Sequence, residues 1–483
     1  MQWRVAVVSA TLLATILSVP AAAEEGRQPG EPVAEQLGSV AAEPVSTLQA
    51  SPVKSAQADG DKKPWRPKVG PVFNNPYGGA ADRFRIERRI LEAIRHSGKN
   101  DKIKIAIDSW DRMDMADAVI AAHRRGAQVQ ILLNDHQVTR AQRKMKRAIG
   151  RNPERKNFVY ECESSCRGRR DNLHTKFYLF SSPGAATDVI MTGSHNLTLN
   201  AVKWQWNDLF VMRKKPRLYD EFQNVFNDMR RDWSKNRPFL EFCGNPDGEP
   251  CKRTSSNHFT QVFPINIRVD GDPAMEALNS TRCTRQGSGG RVIRTKVRVS
   301  MHTMRGSRAE KIAERLRAMH ARGCNIRVLY GLMGFPVKRK LGAVTARGRI
   351  PLRSTGYDYN GDGDVDRYTH QKYLTIRGQC GGKTKARVTL TGSSNWSNKG
   401  LGGDEIVFNV HGPGYLSKYN ANFDFMWNRH SRNSYTTTTS EYRTVVPVWE
   451  NGVRTHEVVT RKVTTTEVLP DRLTAGSPTF ESD

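Results

Sequence analysis

The sequence predicts an α/β fold made of two similar α/β/α sandwich halves related by a pseudo-twofold axis, with a small C-terminal β appendage. Three observations carry this. A strand-helix-strand unit occurs twice, and a glycine stops its helix in the same place each time. Each unit then runs into a His-x-Lys strand followed by a Gly-Ser turn, so helix and strand alternate as they do in sheets layered by helices.

In chain order, residues 1–23 read as an export signal. Arg4 supplies the positive charge, Val5 to Val19 is apolar, and Ala21-Ala22-Ala23 offers small residues for cleavage before Glu24. The apolar run is short for about 30 Å of hydrocarbon and ends at Pro20, so a secreted, extracellular chain is expected rather than an anchored one. Residues 24–68, rich in Ala, Glu, Pro, Gly and Ser, read as a disordered linker.

The N-terminal half is expected over residues 69–240. Ile86, Ile90, Leu91 and Ile94 recur at helical spacing; Lys102 to Ile107 is a strand, Ala116 to Arg125 a helix ended by Gly126, and Val129 to Leu133 the next strand. The C-terminal half, residues 255–430, repeats this with Lys296 to Val299, Ala309 to Arg322 before Gly323, and Ile326 to Leu329. His123 and His320 fall at the two helix ends, near the negative pole, and read as helix-end residues rather than catalysts. Pro238, Gly244, Pro246, Gly248 and Pro250 mark the boundary between the halves. Residues 431–483 form a Thr-rich tail, in which Asn451-Gly452 between two β-prone runs predicts a hairpin.

The chemistry sits in a doubled motif. His174-Thr175-Lys176 precedes Gly193-Ser194-His195-Asn196, and His370-Gln371-Lys372 precedes Gly392-Ser393-Ser394-Asn395. Side chains alternate along a strand, so each histidine shares a face with its lysine. Imidazole can attack phosphorus or move a proton, while Lys176, Lys372, Asn196, Asn395, Ser194 and Ser393 offer donors to phosphate oxygens.

This pattern resembles the phospholipase D superfamily, whose signature is His-x-Lys, an Asp some residues later, and Gly-Ser-x-Asn. The resemblance covers roughly residues 70 to 430 and both copies of the motif. One element departs from it: Ser181 and Arg377 stand where the family places the Asp. The resemblance implies a phosphodiesterase in which one histidine forms a phospho-histidine and the other protonates the leaving alcohol, with no cofactor required for catalysis. It also implies an acid orienting each imidazole, assigned as Asp208 to His174 and Glu405 to His370. In similar secreted bacterial phospholipases D the N-terminal histidine attacks, which assigns the nucleophile to His174.

Other features are read from the residues alone. Asp358, Asn360, Asp362, Asp364 and Asp366 are spaced like the oxygen ligands of a calcium loop, although Thr369 replaces the usual Glu and excludes an EF-hand. Seven cysteines in an exported chain predict disulfides, with Cys162–Cys166 and Cys243–Cys251 as near neighbours; Cys283, Cys324 and Cys380 remain, one of them left over if two pair. The formal charge of +28 favours polyanions: an anionic membrane surface or nucleic acid. Basic clusters from Arg140 to Lys156 and from Lys338 to Arg353 are expected to border the cleft, and Trp204 and Trp206 either stack on substrate or pack in the core.

The expected protein is therefore a secreted monomer with one site between its halves. The favoured activity is that of a phospholipase D, releasing phosphatidic acid and a free alcohol from a glycerophospholipid, or transferring the phosphatidyl group to another alcohol. A secreted nuclease of the same superfamily is the alternative. A binding protein with a decayed site is disfavoured by the intact His, Lys and Asn pairs.

Overall fold

The computed structural model describes residues 64–168, 170–245, 259–356, 365–451 and 453–468. The segments expected to be an export signal and, nearly all of it, a linker, together with Cys251 and with Asp358, Asn360, Asp362 and Asp364 of the aspartate-rich loop, lie outside them. The folded body begins slightly ahead of the expected residue 69, because Trp65 stacks on His96 at 4.5 Å and Arg66 Nε donates to Ala185 O.

The first half contributes β1 (Gly70–Phe73), β2 (Lys102–Ile107), β3 (Gln128–Asn134), β4 (Phe158–Cys162), β5 (Lys176–Phe180), β6 (Val189–Gly193), β7 (Gln205–Trp206) and β8 (Asp208–Met212). Among the described residues these form a seven-stranded sheet in the order β1-β8-β6-β5-β2-β3-β4, with β7 set apart. The second half contributes β9 (Leu240–Phe242), β10 (Phe259–Val262), β11 (Thr281–Arg282), β12 (Thr284–Gln286), β13 (Val292–Arg294), β14 (Lys296–Met304), β15 (Asn325–Met333), β16 (Leu352–Ser354), β17 (Tyr368–Thr369), β18 (Lys372–Cys380), β19 (Lys383–Gly392) and β20 (Ile406–His411). The chain ends in β21 (Arg432–Asn433), β22 (Tyr435–Glu450) and β23 (Val453–Val468).

The second sheet runs β21-β16-β15-β14-β18-β19-β20-β10-β9. Its stretch from β16 to β10 repeats the first sheet strand for strand. In both, the two strands flanking the first crossover helix are parallel, and the His-x-Lys strand adds antiparallel to the earlier of them. A small ribbon pairs β12 with β13, and β11 adds to the end of β18.

Apolar periodicity explains the layers. Ile86, Ile90, Leu91 and Ile94 of helix Arg85–Arg95 are buried with Val119 of helix Met113–Arg124 against one face of the first sheet. Ile312, Leu316 and Met319 do the same for the second sheet. The inner faces of the two sheets, with helices Pro216–Met229 and Pro413–Arg429, share a single aromatic core. Phe210 lies 5.6 Å from Phe408 and 5.0 Å from Tyr415, so the seam between the halves is hydrophobic and packed.

The hairpin is longer than its sequence signal. The Thr-rich run belongs to it, and β22 pairs with β23 from Tyr435↔Val468 to Glu450↔Val453. Val445, Trp449 and Val458 on this ribbon are exposed. Arg349 Nη2, donating to Thr466 O, ties the base of the ribbon to the body.

Two disulfides are formed among the described residues. Cys162–Cys166 closes the loop entering β5, as expected. Cys283–Cys324 links segments 41 residues apart, and Cys380 is the free, buried thiol. Cys243 is also in a disulfide.

Candidate active site

Each Gly-Ser turn is set by close approach to the strand that follows it. Ser194 N donates to Asp208 O at 3.0 Å, and Ser393 N donates to Ile406 O at 2.9 Å. The serine hydroxyls accept in return from Asp208 N and Ile406 N. A Cβ on Gly193 or Gly392 would collide with the backbone oxygen of Asp208 or Ile406, so both positions require glycine. These contacts align the halves: Asp208 matches Ile406, and Asn207 matches Glu405.

That alignment corrects the orienting partners. His174 Nδ1 lies 2.7 Å from Glu405 Oε1 of the other half, and His370 Nδ1 lies 3.0 Å from Asn207 Oδ1 of the other half. The expected pairs, Asp208 with His174 and Glu405 with His370, are not the ones formed. The acid in the sequence stands one residue too far along: alternation turns Asp208 away from the imidazoles, and Asn207 takes the place that Glu405 holds. The partners also cross between halves, because each His-x-Lys segment pairs with the opposite strand entry. His174 N donates to Asp404 O, His370 N donates to Trp206 O, and β17 runs parallel to β7.

Asp208 serves the seam instead. Its Oδ2 accepts from Thr391 Oγ1 at 2.5 Å and from Tyr419 OH at 2.9 Å, both in the other half. Burial pushes its carboxyl above the ordinary aspartate range, against the pull of those hydrogen bonds and of Lys372.

The lysines and asparagines lie where the motif puts them. Lys372 Nζ is 2.9 Å from His370 Nε2, whereas Lys176 Nζ donates to His174 O and lies 3.7 Å from Asp108 Oδ2. Asn196 Oδ1 accepts from Ser109 N while its Nδ2 donates to Asp108 Oδ2. Asn395 Oδ1 accepts from Thr303 N, and its buried Nδ2 has no partner among the described residues, leaving a donor ready for an anion. His174, Lys176, His370 and Lys372 are all buried.

Sequence reasoning missed Asp108, His302 and Asn207. Asp108 and His302 occupy equivalent places just after Ile107 and Met301, the strand partners of Lys176 and Lys372. The His302 ring lies 4.7 Å from that of His370. Repetition of the halves was the available signal, but an acid matching a histidine hides it.

Other expected features resolve as follows. Asp366 is buried; the remaining candidate calcium ligands are not among the described residues. Ser181, at the place of the family Asp, accepts from Lys102 N at 2.8 Å, and Arg377 lies on β18 and is exposed. Within the basic clusters, Lys144 pairs with Asp117 and Lys146 with Glu161, while Arg347 and Arg353 donate to backbone carbonyls. Trp206 is core, packed near Tyr77, Phe425 and His430, while Trp204 is half-buried beneath Arg367.

Residues 90–230 and 293–427 match the family model described as "Cardiolipin synthase, PLD-like domain". Among solved structures, the chain is similar to polyphosphate kinase from Porphyromonas gingivalis, at 11% identity and a TM-score of 0.47, covering 74% of this chain and 50% of that one. It thus spans half the length of that kinase. It is also similar to phosphatidylserine synthase from Haemophilus influenzae, at 10% identity and a TM-score of 0.46, over 76% of this chain and 89% of that one. Nuc, a phospholipase D family member from Salmonella typhimurium, matches at 18% identity and a TM-score of 0.25, over 35% of this chain and all of that one. No curated protein matches the sequence.

Proposed function

The chain belongs to the phospholipase D-like family, and from that premise we propose that it is an exported phosphodiesterase acting through a phospho-histidine, in its best-supported form a phospholipase D. The observation that carries this is the crossed pairing of His174 with Glu405 and of His370 with Asn207, which fastens both signatures to one seam.

A phosphodiester resists attack because its oxygens are anionic. Lys176, Lys372 and the Asn395 amide supply positive charge and donors in a buried setting, where such contacts are strongest. One imidazole attacks phosphorus in line, and the other protonates the departing alcohol and then activates water. Water as acceptor gives hydrolysis, and a second alcohol gives transfer. The residues with assigned roles need no metal ion to do this. Export rests on the signal read at residues 1–23.

The formal charge of +28 favours a second reading, a secreted nuclease. Purified protein given mixed phospholipid vesicles and plasmid DNA in parallel separates the two, with His174→Ala and His370→Ala as controls. Headgroup release abolished in both variants supports the lipase. DNA cleavage abolished in both, with vesicles untouched and a steep loss of binding with salt, replaces it with the nuclease.

A further inference from the structure

We propose that the cavity between β1 and helix Pro413–Arg429 binds an anionic amphiphile, a phosphomonoester head on an apolar body, at a site separate from the two motifs. Binding there stands on the cavity alone; its effect on turnover rests on the phosphodiesterase reading above.

The cavity follows from where the halves meet. β1 ends the first sheet, and helix Pro413–Arg429 of the second half packs beside it. Between them lies a cavity of about 590 Å³, within the size range of pockets that hold organic molecules (~300–1,000 Å³). Its apolar wall is made by Val72 and Phe73 of β1 with Ala421 and Phe425 of the helix. None of the motif histidines, lysines or asparagines lines it.

The charge on the wall selects an anion. Lys68, Arg85, Arg89 and Lys418 line the cavity against one carboxylate, Asp82. Arg85 is paired with Asp82 and Arg89 with Glu92. Lys68 and Lys418 are exposed and have no ion-pair partner among the described residues. Lys418 reaches from the helix over the strand, since a Cβ on Gly70 would stand 3.7 Å from its Nζ. Two uncommitted ammonium groups match a phosphomonoester, which carries about −1.5 to −2 charges at neutral pH.

A buried donor agrees with this. Trp206 is 1% exposed, its ring lines the cavity, and its indole Nε1–H has no hydrogen-bond partner among the described residues. A buried N–H left without an acceptor is costly, and an oxygen of a bound anion would satisfy it.

The cavity also backs onto the second motif. Trp206 O accepts from His370 N at 2.9 Å. Asn74 Oδ1 accepts from Asn207 N at 2.7 Å, and Asn207 Oδ1 is the partner of His370 Nδ1. Asn422 Oδ1 accepts from Gln371 Nε2 at 3.0 Å. Asn74, Trp206 and Asn422 all line the cavity, so an occupant bears on the segments that seat His370. The phosphatidic acid released by the proposed reaction has this chemistry, so the enzyme's own product is the occupant that the cavity fits.

The test titrates the full chain with dihexanoyl phosphatidic acid, beside dihexanoyl phosphatidylcholine and inorganic phosphate, by isothermal calorimetry. Phosphatidic acid is expected to bind at least about tenfold more tightly than either comparison. The Lys68→Glu/Lys418→Glu double variant should weaken it by about tenfold or more. Trp206→Phe, which keeps a ring but removes the donor, should weaken it by about fivefold. Equal affinity in wild type and the double variant would place the lipid at the motifs or nowhere specific, and overturns the site. Inorganic phosphate binding as tightly as phosphatidic acid would reduce the cavity to a free-phosphate site, and overturns the amphiphile. In a second arm, added phosphatidic acid should change kcat for bis(p-nitrophenyl) phosphate by about twofold or more, with the response lost in the double variant. A change in KM alone is competition at the motifs and overturns the coupling. Wild-type protein that turns over no diester sinks the phosphodiesterase reading, while the titration still decides the cavity.

Discussion

Glu405 and Asn207 hold the same place in the two halves, and each reaches across the seam to the Nδ1 of the opposite histidine. One brings a carboxylate and the other an amide, so a site that is symmetric in backbone is asymmetric in charge.

Glu405→Gln tests the charged member. Glutamine keeps an acceptor near His174 Nδ1 but withdraws the negative charge beside the ring. The expected outcome is a fall in kcat of about 100-fold with a small change in KM, since an imidazole that attacks or transfers a proton changes charge in the transition state. Steady-state kinetics on a diester with an alkoxide leaving group checks this. An unchanged kcat would reduce the pair to packing.

Asp208→Asn should behave differently, although the sequence puts an acid beside the motif in both halves. Its carboxylate holds Thr391 and Tyr419 across the seam rather than an imidazole. The variant should lose roughly 1–3 kcal/mol of stability, while both limbs of the pH–rate profile stay where they are. Thermal unfolding and the profile, measured together, decide between this and a role on His174.

Most of the fold was legible because the repeat is written at two levels. Apolar periodicity marks the helices around Ile86 and Ile312, and the two His-x-Lys strands fix where each sheet turns antiparallel. The crossing of partners was not legible. A local alignment sets Asp208 beside Glu405, whereas backbone contacts of Ser194 and Ser393 set Asn207 there. Side chains alternate along a strand, so a slip of one residue exchanges a site residue for a seam residue. Asp108 and His302 escaped for a related reason: the positions match but the residue types do not.

Gly392→Ala tests the close approach that seats the second motif. Gly392 has φ +146°, and an added Cβ would meet the Ile406 carbonyl. Strain and collision together should cost more than about 2 kcal/mol, and displacement of Ser393 and Asn395 should lower activity even in protein that folds. Denaturant unfolding beside kcat/KM measures both. An alanine variant of native stability would show that the turn tolerates a shift.

The last prediction concerns Asp404, the neighbour of Glu405. It is buried, accepts from Ser165 Oγ at 2.8 Å, and so ties the disulfide loop of the first half to the strand entry of the second. Burial pushes its carboxyl up to about 6 from an ordinary value of 3.8, although Arg167 and Ser165 pull the other way. Between those values the folded protein holds a proton that the unfolded chain has released. Stability from this group is therefore greatest at the acidic end of the window and declines as pH rises toward 6, levelling off above it. The decline is on the order of 3 kcal/mol. Asp404→Asn removes the titration, so wild type should lose stability relative to the variant as pH rises through the window. Paired melting curves at several pH values measure that difference. A constant gap between the two proteins would mean that Asp404 keeps its charge when buried, held by Arg167, and that the loop is anchored by an ion pair instead.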